Sequence, residues 1–154
     1  MPPDADVPGW RLGVQLLLAS RALFDELHRR LAAAGYIHLR PAHGFLLQAL
    51  GPNGATASEI AVRLGVTKQA ARLVVEELAG LGYVERGVDP DDGRRRPVRL
   101  TAAGEDVLRR SEAIFDDLRD ELGAEIGPAL LAEGLQLLGA IEARYGPVPL
   151  RPVW

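Results

Sequence analysis

The chain has 154 residues, 47% of them apolar but only 5% aromatic, enough for one compact core assembled mainly from Leu, Ala, Val and Ile; this favours a mainly helical fold and excludes two large domains. It contains no cysteine, which excludes a disulfide framework, a thiolate zinc site and cysteine-based redox sensing. The net charge of −3 speaks against a nucleic-acid partner, yet it is unevenly spread: five basic and five acidic residues fall in 1–60, eight and six in 61–100, and five and ten in 101–154.

Residues 1–9 read as a tail whose prolines and acids are unlike a secretory leader, and no apolar run approaches the roughly 20 residues of a membrane span. A cytoplasmic location without a membrane partner is the expectation. Residues 10–34 read as a helix with Leu16, Leu23, Leu27 and Leu31 on one face, widened by Leu17 and Phe24 and closed by Gly35. The stripe is broader than one neighbour requires, which suits either a second subunit or an ordinary core helix. Pro41 opens a second helix carrying Phe45, Leu46 and Ala49, ended by Gly51-Pro52-Asn53-Gly54.

Thr56-Ala57-Ser58-Glu59 has the spacing of a capping box, in which hydroxyl and carboxylate each satisfy a backbone N–H at a helix start. Ile60, Ala61 and Leu64 form the apolar face of a short helix stopped by Gly65. Thr67 then caps a further helix reaching about Leu81, with Ala71, Val74, Val75 and Leu78 inward and Lys68, Gln69, Arg72 and Glu76 on the opposite stripe. Two helices across a tight glycine turn are a helix-turn-helix layout. Residues 83–86 and 98–100 read as strands of a hairpin, and residues 94–99 at its tip carry four arginines and no acid. Such a tip is the wing of a winged helix. Thr101 caps a long helix through about Leu122, residues 123–127 break the pattern, and Pro128 starts a last helix with Leu131, Leu135, Leu138, Ile141 and Tyr145 at spacings of three and four. Residues 146–154 form a proline-rich tail.

This order of elements resembles the MarR family of transcription regulators. The resemblance rests on residues 56–86 and on Asp89-Pro90-Asp91-Asp92-Gly93-Arg94-Arg95-Arg96-Pro97-Val98-Arg99-Leu100-Thr101-Ala102-Ala103-Gly104, similar to the family's Asp-Pro-x-Asp wing followed by Leu-Thr-x-x-Gly. It implies a mainly α fold with a small β-hairpin, in which a winged helix-turn-helix lobe, about 41–101, is held by N- and C-terminal dimerisation helices, about 10–34 and 102–145. It further implies a homodimer on double-stranded DNA with a pseudo-palindromic operator, and repression relieved by a small, often anionic aromatic, effector. The proline-rich end is not part of the family pattern, and the family's cysteine-based peroxide sensing has no residue here to carry it.

On the recognition helix, Thr67 and Lys68 suit phosphates, helped by the free N–H groups of a helix N-terminus, while Gln69 and Arg72 carry the side chains that match adenine and guanine edges in the major groove. Arg94, Arg95 and Arg96 suit the minor groove, with the resemblance favouring Arg94 as the residue that enters. Asp89 and Asp92 orient the wing, since carboxylates are repelled by phosphate. Phe24, His28, Tyr36, His38, His43 and Phe45 are the residues expected to line an effector pocket, although histidines so placed also serve as hydrogen-bonded structural residues. His38 and His43 lack an acid nearby in sequence to complete a metal set, so neither a metal nor another cofactor is expected. No phosphate-binding glycine loop, nucleophile elbow or His-Glu-x-x-His is present, which leaves a winged helix used for protein contact as the alternative to DNA binding.

Overall fold

The computed structural model describes residues 8–88 and 96–146. The wing positions Asp89, Asp92, Arg94 and Arg95 lie outside the described residues, as do residues 1–7 and 147–154. The element order is α1 (Trp10–Ala33), α2 (Pro41–Leu50), α3 (Ala57–Leu64), α4 (Lys68–Gly80), β1 (Val84–Arg86), β2 (Val98–Leu100), α5 (Ala102–Ile126) and α6 (Pro128–Tyr145). The two strands pair antiparallel, with Val84 opposite Leu100 and Arg86 opposite Val98. Ala55, just before α3, exchanges backbone hydrogen bonds with Val98 at 3.0 and 2.8 Å, so the hairpin is stitched to the entrance of the helix-turn-helix.

Two apolar clusters organise these elements. The larger packs Leu46, Leu47 and Leu50 of α2 against Ile60 and Leu64 of α3, Ala71, Val75 and Leu78 of α4, Val84 and Val98 of the hairpin and Val107 of α5. The spacing of three and four along each helix turns one stripe inward, and full burial of each such side chain contributes roughly 1.5–3 kcal/mol. The smaller cluster joins Leu27 and Leu31 of α1 to Ile114 of α5, with Phe24, Phe115 and Leu118 against it. Phe24 lies at the centre of an aromatic trio, 5.4 Å from Phe45 and 5.7 Å edge-on from Phe115 between ring centroids.

One expected boundary is corrected. The break anticipated over residues 123–127 is a single point, because α5 continues through Gly123 to Ile126 and stops only at Gly127, whose φ of +91° leaves the helical region. A Cβ on residue 123 would stand 3.2 Å from Leu131 Cδ2, so the small residue serves the close return of α6 rather than a break. The first strand begins at Val84, one residue later than the pattern suggests.

The apolar stripes at the two ends of the chain are largely uncovered. Of the α1 stripe only Leu27 and Leu31 are buried, and α6 has no buried residue at all. Leu17, Leu18 and Leu23 on α1 and Leu130, Leu135, Leu137 and Leu138 on α6 are all exposed. Among the described residues, no helix is long and apolar enough to cross a membrane.

Candidate nucleic-acid interface

The position of α4 is set by local chemistry on both sides of the turn before it. At the start of α3, the Thr56 backbone N–H donates to Glu59 Oε2 at 2.6 Å and the Glu59 N–H donates to the Thr56 hydroxyl at 3.3 Å, the reciprocal pair anticipated from the sequence. Gly65 ends α3 in the left-handed region (φ +61°, ψ +36°), and the Val66 N–H returns to the Ala61 carbonyl at 3.0 Å. Thr67 then accepts the Ala70 N–H at 3.1 Å on its hydroxyl oxygen. Its own O–H proton stays available to a phosphate oxygen, so capping and phosphate contact are compatible at this residue.

With Ala71, Val75 and Leu78 buried, the opposite face of α4 is directed outward. Lys68, Gln69, Arg72, Leu73 and Glu76 line one open concavity of about 500 Å³. Among the described residues, neither Lys68, Gln69 nor Arg72 has a side-chain hydrogen-bond or ion-pair partner. Long polar side chains held ready on a rigid helix are what reading base edges requires.

A second cleft of about 180 Å³ lies between α4 and the hairpin, lined by Ala57, Lys68, Arg72, Val75, Arg86, Arg96 and Val98. Four of these seven residues are cationic, which concentrates positive potential in a chain of net negative charge. Arg96 is thus the wing arginine that the described structure joins to the recognition helix. Arg86 was not anticipated from the sequence. The period-two alternation of a strand was its signal, since it places Arg86 on the side of Val84, which packs on α4. An ion pair from Arg86 Nη2 to Glu76 Oε1 at 3.4 Å bridges the two elements.

The expected effector residues divide between places. Phe24, His28 and Phe45 line one cleft between α1, α2 and α5, together with Leu39 and Phe115. Its free volume is about 30 Å³. His28 Nδ1–H donates to the Phe24 carbonyl at 2.6 Å. Tyr36 instead donates its hydroxyl to Asp106 on α5; that bond raises the phenol pKa and, with Arg109 second, holds the Asp106 carboxyl below its ordinary range.

His38 and His43 open onto a different surface with Arg40 and Glu77. His43 is buried, and its Nδ1 accepts the Arg40 backbone N–H at 3.2 Å, so the ring proton lies on Nε2 and points to Glu77 Oε2 at 3.0 Å. Arg40 also donates to Glu77, and these bonds, that of His43 foremost, keep the Glu77 carboxyl below its usual pKa. The acid that sequence spacing did not supply to His43 therefore comes from α4, 34 residues away. Among the described residues no three ligating side chains converge as a metal site. The cluster is a strut between the α2 N-terminus and the recognition helix.

Known proteins share parts of this sequence and much of this geometry. Residues 39–95 match the family model described as the MarR family. The HTH-type transcriptional repressor Rv2887 of Mycobacterium tuberculosis is 36% identical over 61 residues, which is 40% of this chain and 44% of that protein. The chain therefore spans less than half the length of the curated relatives it matches. Among solved structures, RV1404 from Mycobacterium tuberculosis shares the fold over 95% of this chain and 100% of its own, with a TM-score of 0.75 at 23% identity. Staphylococcus aureus MepR, solved as an F27L mutant bound to an oligodeoxyribonucleotide, shares it over 84% of this chain and 97% of its own, with a TM-score of 0.60 at 20% identity. MepR bound to ethidium bromide aligns over the same 84% of this chain and 95% of its own, with a TM-score of 0.61 at 20% identity. The segment that matches spans the helix-turn-helix and the start of the wing, so this part of the chain is similar to the MarR family, and the winged fold continues around it.

Proposed function

We propose that the chain is a transcriptional regulator of the repressor type that binds double-stranded DNA sequence-specifically as a homodimer. The observation that carries this reading is the outward face of α4, where Gln69 and Arg72 stand unpartnered beside the four-cation cleft of Lys68, Arg72, Arg86 and Arg96. In a groove, Gln69 matches an adenine edge and Arg72 a guanine edge, while Thr67, Lys68 and Arg86 neutralise phosphates. Arg96 extends this contact from the hairpin, and Arg94 and Arg95, beyond the described residues, add charge to the same tip. Asp89 and Asp92 also lie outside the described residues.

The second subunit is called for by α1 and α6. Seven exposed leucines on α1 and α6 would leave a large apolar surface in water, and each leucine covered by a partner contributes on the order of 1.5–3 kcal/mol. A twofold dimer formed there presents two copies of α4, which calls for an inverted-repeat operator. Of the ten acids of residues 101–154, eight lie on α5 and two on α6, and this charge holds those helices away from DNA.

Effector release belongs to the same reading. The cleft at Phe24, His28 and Phe45 has room for a water molecule or two, well below the roughly 300 Å³ at which small-molecule sites begin. A planar effector enters only by parting α1 and α5 from α2, and that movement changes the separation of the two recognition helices. Selection of binding sites from random duplexes by the full chain tests the reading: enrichment of an inverted repeat supports it, and failure to enrich any duplex removes it.

A further inference from the structure

The polar face of α4 contains one residue that does not belong there on solvation grounds. Leu73 is 55% exposed and lies in the same concavity as Gln69, one turn before it, and Arg72 and Glu76. The helix has its apolar stripe elsewhere, in Ala71, Val75 and Leu78, so Leu73 contributes nothing to the core. A major groove offers one strongly apolar feature, the C5-methyl group of thymine.

We propose that Leu73 is a specificity-determining residue that reads the 5-methyl group of a thymine next to the base pair read by Gln69. The inference rests on the DNA-binding reading above. Four residues of α-helix rise about 6 Å, against about 3.4 Å between stacked bases, so Leu73 meets a base one or two steps along from that of Gln69. The two residues share one row of the helix, and their Cβ atoms stand about 5–6 Å apart. An adenine contact by Gln69 and a thymine methyl contact by Leu73 together favour an A·T-containing step in each half-site.

The test uses the full chain and its selected duplex, with each thymine replaced in turn by uracil, which keeps every hydrogen-bonding group and lacks only the methyl. Replacement at one thymine per half-site is expected to weaken binding about fourfold, the worth of one buried methylene. In Leu73→Asn that discrimination falls to about onefold while the dependence of binding on salt is unchanged, and Leu73→Met retains it. The exposure of Leu73 means the thermal unfolding midpoint of both variants should match that of the parent. Full thymine-over-uracil discrimination in Leu73→Asn overturns the inference while leaving DNA binding intact, and so does a selected duplex in which no thymine responds. If no duplex is enriched at all, the DNA-binding reading fails and this inference falls with it.

Discussion

Gly104 lies directly under Tyr83: a Cβ placed on residue 104 would fall 2.1 Å from the Tyr83 carbonyl oxygen. The hydroxyl of Thr101 completes this joint, accepting the Gly104 N–H at 3.2 Å and donating to the Gly82 carbonyl at 2.7 Å. Leu-Thr-x-x-Gly is therefore a docking device. The threonine caps α5 and clasps the turn after α4, and the glycine lets the two backbones touch, so the recognition helix is held rigidly to the scaffold helix.

Gly104→Ala should therefore destabilise the fold by about 2 kcal/mol, since an overpacking cost near the upper end of about 1–3 kcal/mol exceeds the gain in helix propensity of about 1 kcal/mol. Gly80→Ala, at a helical glycine with nothing within 4 Å of the added Cβ, should show no comparable loss. Chemical denaturation of the two variants side by side checks the prediction.

Acid should unfold the protein through a defined set of carboxylates. Hydrogen bonds from Arg29 and then Arg30 hold Glu26 at about 2 against an ordinary 4.5. Arg30 likewise lowers Glu121, and the bond from His43, followed by that from Arg40, lowers Glu77. A carboxyl whose pKa is depressed on folding stabilises the folded state fully above its ordinary value and loses that contribution as pH falls through the folded one. The melting midpoint should accordingly be level above about pH 5 and decline below about 4.5, and Glu26→Gln should make the decline shallower. Thermal melts from pH 7 to pH 2 would reveal this.

Arg86 is restrained by Glu76 at the edge of the basic cleft. Glu76→Gln removes an acid from the α4 face and releases the guanidinium, so binding to unrelated duplexes should tighten several-fold at low salt. Arg86→Ala and Arg96→Ala should each weaken binding to all sequences similarly and reduce the slope of log affinity against log salt by about 1. Titrations at several salt concentrations separate these outcomes.

Leu135→Glu, alone or with Leu138→Glu, should convert a dimer to a monomer with little change in the melting of the lobe, because α6 has no buried residue and places nothing in the lobe's core. Light scattering at micromolar concentration reports the mass. A monomeric parent would remove the dimer from the proposal.

The elements that could be read from the chain are those whose cause is local. Thr56 with Glu59, Gly65, Thr67 and Thr101 each act within a few residues of themselves, so the helix starts and the tight turn were legible from type and spacing. What was not legible depends on residues far apart in sequence. Gly123 has the look of a helix stop, yet the return of Leu131 makes it a packing residue inside α5. His43 acquires its acid from α4, and Tyr36 turns its hydroxyl to Asp106 on α5, so neither lines the cleft of Phe24, His28 and Phe45. Arg86 was read only as part of a strand, and the fold of the hairpin against α4 sets it in one cleft with Arg72 and Arg96. Leu73 was passed over for a further reason: an exposed leucine is common, and only its neighbours on the reading face give it meaning.

Whether α4 and the wing read DNA as a symmetric pair is decided by site selection from random duplexes, repeated with Arg72→Ala. Selection should return an inverted repeat with half-site centres about 10 base pairs apart, and Arg72→Ala should lose preference at one position per half-site, worth about 1–3 kcal/mol. Enrichment of no sequence, or an identical preference in Arg72→Ala, would contradict this reading.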